Sequence, residues 1–147
     1  MSHWLGRVRF QDVTVGERGV TEVLELSYLG LERLPTHVIA RNVTQINLSH
    51  NKLVYLPVKF RDFINLTHLL VNNNNLSSLP TTFKQLKKLQ VLDLRNNKLK
   101  RLSKDIAALK ILERLYVEGN PLTVEDIRSL LEVMEKRQRL MIDIAGK

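Results

Sequence analysis

Three stretches decide the fold: VTQINLSHNKLVYLPVKFRDFIN (residues 43–65), LTHLLVNNNNLSSLPTTFKQLKK (66–88) and LQVLDLRNNKLKRLSKDIAALKI (89–111). They align without gaps at a period of 23 residues. A copy one residue shorter, TEVLELSYLGLERLPTHVIARN, precedes them from Thr21. A truncated fifth, LERLYVEGNPL, follows from Leu112. A fixed period of this length is the mark of a stacked repeat architecture, here over residues 21–122.

The physical content of the pattern is direct. Positions four and six of each copy are apolar with a polar or small residue between or beside them, as a short strand with one buried face requires. These pairs are Leu24/Leu26, Ile46/Leu48, Leu69/Val71, Leu92/Leu94 and Leu115/Val117. One pair per copy, stacked in register, makes a parallel sheet. Leucines at positions eleven and fourteen close the coil beneath it: Leu31/Leu34, Leu53/Leu56, Leu76/Leu79 and Leu99/Leu102. A return arm adds Val38, Phe60, Phe83 and Ile106, then Phe63, Leu86 and Leu109. No single copy can bury these side chains, so stability must come from stacking. Position nine holds Asn51, Asn74, Asn97 and Asn120. An amide carries both donor and acceptor, so a column of them satisfies the backbone groups left open where the strand ends. The first copy has Leu29 there, so the column is expected to begin at Asn51. Pro35, Pro57 and Pro80 follow position fourteen, and Ser103 breaks the series. The fourth arm is therefore expected to be more helical than the others, capped by Ser103.

Both ends of such a stack expose core and need covers. After Thr123, the residues Val124, Ile127, Leu130, Leu131 and Met134 have helical spacing. Glu125 and Asp126 open this helix, and Lys136, Arg137 and Arg139 stand near its expected end, as the helix dipole favours. Residues 140–144, LMIDI, alternate like a further strand. At the other end Trp4, Val8, Phe10, Val13 and Val15 point to a strand or hairpin. The expected organisation is one domain, with an N-terminal cap over 1–20, repeats over 21–122 and a C-terminal cap over 123–147.

The pattern L-x-x-L-x-L-x-x-N-x-L-x-x-L-P resembles the leucine-rich repeat. Its 23-residue length and L-P signature are similar to the intracellular repeats of Ras-suppressor and Shoc-type scaffolds, and the short first copy to small phosphatase-1-regulatory proteins. The resemblance implies an α/β solenoid of about five repeats with a concave parallel sheet that binds another protein. Extracellular relatives usually carry cysteine-rich caps, and this chain of 147 residues has no cysteine. It also lacks a secretory-type apolar run near Met1, so a cytoplasmic or nuclear setting is expected. The sequons at Asn42, Asn47, Asn65 and Asn75 then read as by-products of the repeat.

Catalysis fails on inventory. The histidines are His3, His37, His50 and His68, without a cysteine or a helical H-x-x-x-H pair. No glycine-rich phosphate loop occurs. No enzyme activity, metal or cofactor is expected, and the chain by itself is expected to be a monomer.

Alternate strand residues face out of the concave sheet, so the candidate surface can be named. Its centre holds Leu70, Val91 and Tyr116, ringed by His68, Asp93, Arg95, Arg114 and Glu118. Exposed apolar residues with Tyr and Arg beside them have the composition of a binding hot spot. The plainer reading is that the charged members only pair across neighbouring strands. A second candidate is basic. The net charge is +8, and Lys84, Lys87, Lys88, Lys98, Lys100, Arg101, Lys104 and Lys110 crowd the third and fourth copies. They fit either solvated lysines serving solubility, or docking to RNA, an acidic membrane or an acidic protein. No row of aromatics accompanies them, which argues against sequence-specific nucleic-acid readout.

Overall fold

A computed structural model describes the backbone of residues 9–14, 20–34, 43–134 and 141–143. Among the described residues seven strands form one sheet in chain order: β1 (Arg9–Thr14), β2 (Val20–Glu25), β3 (Val43–Asn47), β4 (His68–Leu70), β5 (Val91–Asp93), β6 (Arg114–Tyr116) and β7 (Met141–Asp143). β1 and β2 are an antiparallel pair, and every later pairing is parallel. The register follows the 23-residue period directly: Ile46 opposes Leu69, Leu69 opposes Leu92 and Leu92 opposes Leu115. The molecule is thus the expected solenoid, with a hairpin at one end and a helix plus a strand at the other. Of the residues expected in the caps, Phe10 and Val13 fall in β1, and β7 extends the sheet beyond the last repeat. Trp4, Val8, Val15, Pro35, Val38, Lys136, Arg137, Arg139, Leu140 and Ile144 lie outside the described residues.

The core is the predicted leucine column. Leu24, Leu26, Leu48, Leu69, Val71, Leu92, Leu94 and Leu115 have no exposed surface, and Ile46 is equally enclosed. Burying each such side chain stabilises by roughly 1.5–3 kcal/mol. Beneath them, Phe60, Phe83 and Ile106 align on the return arms, and the Phe60 and Phe83 rings stack at 6.5 Å.

Three return arms are 3-10 turns of equal length: Val58–Asp62, Thr81–Gln85 and Lys104–Ala108. The expectation that the fourth arm is more helical does not hold. Ser103 does cap it, accepting from the Asp105 N–H at 3.1 Å. Yet its φ of −64° matches the −68° of Pro57 and −65° of Pro80, so it enters the turn as the prolines do. Each turn then ends at a buried residue, Phe63, Leu86 or Leu109, in a non-helical conformation. Packing of that residue into the stack, not local helix preference, sets the arm's length.

The cap helix α1 spans Val124–Met134. Thr123 and Asp126 form a reciprocal cap. The Asp126 N–H donates to Thr123 Oγ1 at 3.1 Å, while Asp126 Oδ2 accepts from the Thr123 N–H at 3.1 Å and its hydroxyl at 2.6 Å. Leu130 and Met134 are buried in the core cluster with Ile127 packed against it, and the helix meets the return arm Lys104–Ala108. Val124 and Leu131, expected on the same face, stay exposed at 72% and 40%. The helix meets the stack along a narrower stripe than its sequence offers.

Candidate functional site

The asparagine column is present as read. Asn74 is the pattern for all four. Its Nδ2 donates to Leu48 O at 2.9 Å in the preceding repeat and to Val71 O at 3.0 Å in its own. Its Oδ1 accepts from the Leu53 N–H at 3.0 Å, again one repeat back. Asn51, Asn97 and Asn120 repeat this geometry. Each amide therefore serves the turn before it. That explains Leu29: the strand before β2 runs antiparallel and offers no such turn.

Above this buried column, the concave face is held by a second set of bonds. At position five, Glu25 and Asn47 accept from the N–H and hydroxyl of Ser27 and Ser49, and Asn47 Nδ2 donates to Glu25 Oε2 at 3.1 Å. Asp93 does the same for the Arg95 N–H. Leu70 and Tyr116 interrupt this polar row.

The predicted surface residues come together, with one change of role. His68 opposes Val91 and Val91 opposes Arg114, while Leu70 opposes Asp93 and Asp93 opposes Tyr116. Leu70, Val91 and Tyr116 are half-buried, as is His68, and Arg114 is exposed. The apolar centre is not one block. Leu70 and Tyr116 stand two strands apart, about 10 Å at the usual strand spacing, and Asp93 lies between them. Val91 connects them diagonally. Asp93, expected on the rim, is only 3% exposed. Its carboxylate takes the Arg95 guanidinium at 2.6 and 2.9 Å, so it positions Arg95 and is not presented to a partner. Arg95 also reaches Glu118 at 3.7 Å and lies 5.2 Å above the Tyr116 ring. Hydrogen bonding to Asp93 holds the Arg95 guanidinium even further above its ordinary value, and it stays charged at all working pH. Burial holds the His68 imidazole below its ordinary value, and the Arg114 charge adds to this against a smaller opposing pull from Glu113. His68 therefore faces the site as a neutral ring at pH 7, with Nδ1 2.8 Å from the Thr67 hydroxyl. So the pairing expected of the charged residues exists, and it presents a fixed Arg–Tyr unit.

Sequence reasoning missed the character of position eight. Tyr28, His50, Asn73 and Asn96 all have φ between 54° and 57°, and Gly119 has 73°. Asn, His and Gly are the residues that enter this region most readily, so the signal was present in S-Y-L, S-H-N, N-N-N, N-N and G-N. Tyr28 is the costly member; its ring stacks on His50 at 4.2 Å and 7°. At Gly119 a Cβ would collide with Asn96 Oδ1.

The eight cations of the second candidate are all exposed. Lys100, Arg101 and Lys104 line one wall of a groove facing α1, whereas Lys84, Lys87, Lys88 and Lys110 sit on the return arms and Lys98 at the turn. Lys88 is spent on Asn65 at 2.8 Å. Among the described residues no group of three or more His, Asp or Glu side chains is arranged to hold a metal ion.

This stack, with its asparagine column and parallel concave sheet, is that of a leucine-rich-repeat protein. Residues 64–122 match the leucine rich repeat family model. Among solved structures, a leucine-rich-repeat protein of Leptospira interrogans is 36% identical over 70% of this chain, with a TM-score of 0.66. The chain spans 26% of that protein's length. The leucine-rich-repeat ectodomain of the receptor kinase SOBIR1 from Arabidopsis thaliana is 25% identical, with 92% of this chain and 77% of that one covered and a TM-score of 0.64. InlP of Listeria monocytogenes is 35% identical over 56% of this chain and 23% of its own, with a TM-score of 0.50. Among curated proteins no match to the chain is found.

Proposed function

We propose that this chain is a non-catalytic binding module, an adaptor or regulatory subunit that holds a protein partner on its concave face. Leucine-rich-repeat folds generally mediate protein–protein interaction. The observation that carries the reading here is Tyr116 under the Arg95 guanidinium, with Leu70 and Val91 beside it, on strands whose core residues are already satisfied. Tyr and Arg anchors lose little freedom on binding when they are held in place beforehand, and Asp93 and Glu118 hold Arg95. His68, Arg114 and Glu118 form the polar surround.

The test is a pull-down with the Leu70→Ala/Tyr116→Ala double variant, after circular dichroism shows it folded. Neither residue is in the core, so stability should change by about 1 kcal/mol or less. Partner binding should weaken by about 2 kcal/mol or more. A folded double variant that recovers the same partners as the parent sinks the concave-face reading. The competing reading is docking of the exposed basic flank to RNA, an acidic membrane or an acidic protein. RNA or membrane docking would show as binding that collapses between roughly 50 and 200 mM salt.

A further inference from the structure

Between the fourth return arm and α1 runs a groove of about 660 Å³, within the ~300–1,000 Å³ typical of ligand sites. Its floor is apolar, made by Leu102, Ala107 and Leu130. One wall is cationic: Lys100, Arg101 and Lys104, all exposed and none in an ion pair among the described residues. Glu125 and Asp126, from the start of α1, also line the groove. Those two acids are already engaged. Glu125 meets Arg128 at 3.5 Å, and Asp126 closes the Thr123 cap. The lining carries Lys100, Arg101 and Lys104 against Glu125 and Asp126, and the Arg101 charge already acts on Asp126, so the surplus is positive and falls to Lys100 and Lys104.

The repeat places this charge. Positions twelve, thirteen and sixteen are Ser77, Ser78 and Thr81 in the third repeat, and Lys100, Arg101 and Lys104 in the fourth. Only the cationic set adjoins α1, so only there does an apolar floor accompany the charges.

We propose that this groove is a second docking site, for a short acidic peptide segment of a partner protein that sets an apolar side chain on the Leu102–Ala107–Leu130 floor and carboxylates against Lys100 and Lys104. Charge complementarity selects the carboxylates, and the apolar floor selects the neighbouring side chain. A bilayer surface meets only the rim of a recess, and a nucleic-acid strand finds no aromatic side chain here to stack on. The site is independent of the concave face and stands or falls separately from it.

The experiment uses the full chain and a phage-displayed library of random dodecapeptides, selected on the parent protein and counter-selected on Lys100→Glu/Lys104→Glu. The surviving peptides should carry carboxylates next to an apolar residue. A fluorescein-labelled synthetic copy should bind the parent at least tenfold more tightly than that variant. It should also lose tenfold on Ser129→Trp, which fills the groove from α1 without changing charge. Lys87→Glu/Lys110→Glu makes the same change in net charge away from the groove and should retain binding within twofold. Circular dichroism checks that each variant is folded. The proposal is overturned if no peptide survives counter-selection, if survivors show no acidic bias, or if both charge variants weaken binding alike. It is equally overturned if phosphatidylserine vesicles or polyuridylate, and not peptides, are the probes that distinguish parent from Lys100→Glu/Lys104→Glu.

Discussion

At Asn74 a single amide closes two turns, one in its own repeat and one in the repeat before. It is 5% exposed, so water cannot replace it. Asn74→Ala strands the Leu53 N–H and the carbonyls of Leu48 and Val71, and should destabilise by about 1–3 kcal/mol in urea denaturation. An unchanged midpoint would mean these bonds contribute nothing net. His68 supplies a pH prediction at the same scale. Its folded value lies below the ordinary 6.5, chiefly through burial and then through Arg114. The fold therefore favours neutral His68. Its penalty is absent above pH 6.5 and grows as pH falls through 6.5 towards the folded value. The melting temperature should drop on acidification from pH 7, and drop less in His68→Gln. In an NMR titration the His68 imidazole should titrate below 6.5, and Arg114→Gln should move it upward. A midpoint at or above 6.5 in the parent protein contradicts this.

Among the elements, the strands and the asparagine column were legible because they rest on a strict period in which every copy votes for the same register. The non-periodic parts were less so. The fourth arm was expected to gain helix from Ser103, yet Leu109 must reach the same core slot as Phe63 and Leu86, and this keeps the turn short. Val124 and Leu131 have the right spacing for the buried face of α1, but only Leu130, Met134 and part of Ile127 are enclosed, because how a cap docks is not written in its own periodicity. At the candidate site, alternation told which side chains face out, and it could not tell that Asp93 would be covered by Arg95. That depends on a side-chain fork closing over its own strand. The groove beside α1 was illegible for the same reason, since it arises from where a cap docks. The cap itself gives a prediction. Thr123→Ala removes the hydroxyl bonded to both the Asp126 N–H and its carboxylate, and should cost about 1 kcal/mol. A larger loss, with aggregation, would show that α1 detaches from the last repeat and bares Leu115 and Leu122.

For the whole molecule, each repeat touches only its neighbours, so stability is close to a sum of repeat terms and interface terms along one axis. The asparagines lie on those interfaces and always reach towards the N-terminus. Asn51 joins the first and second repeats, and Asn97 joins the third and fourth. Asn51 accepts one bond more, from the Leu29 N–H at 3.0 Å, and the remaining bonds of Asn51 and Asn97 are the same in kind and nearly the same in length. Their positions are not equivalent. The Asn51 interface leaves only β1 and the first repeat, with its strand β2, on its short side, whereas the Asn97 interface divides the described strands near their middle. Weakening a central interface in a one-dimensional stack lets the halves unfold apart, and each half exposes less surface than the whole. The slope of free energy against urea scales with the surface exposed in one step. Asn97→Ala should therefore lower the slope as well as the midpoint, while Asn51→Ala should lower the midpoint and largely keep the slope. Equal slopes for both variants and the parent would mean that the stack unfolds as one cooperative unit, with coupling between repeats far stronger than any single asparagine supplies.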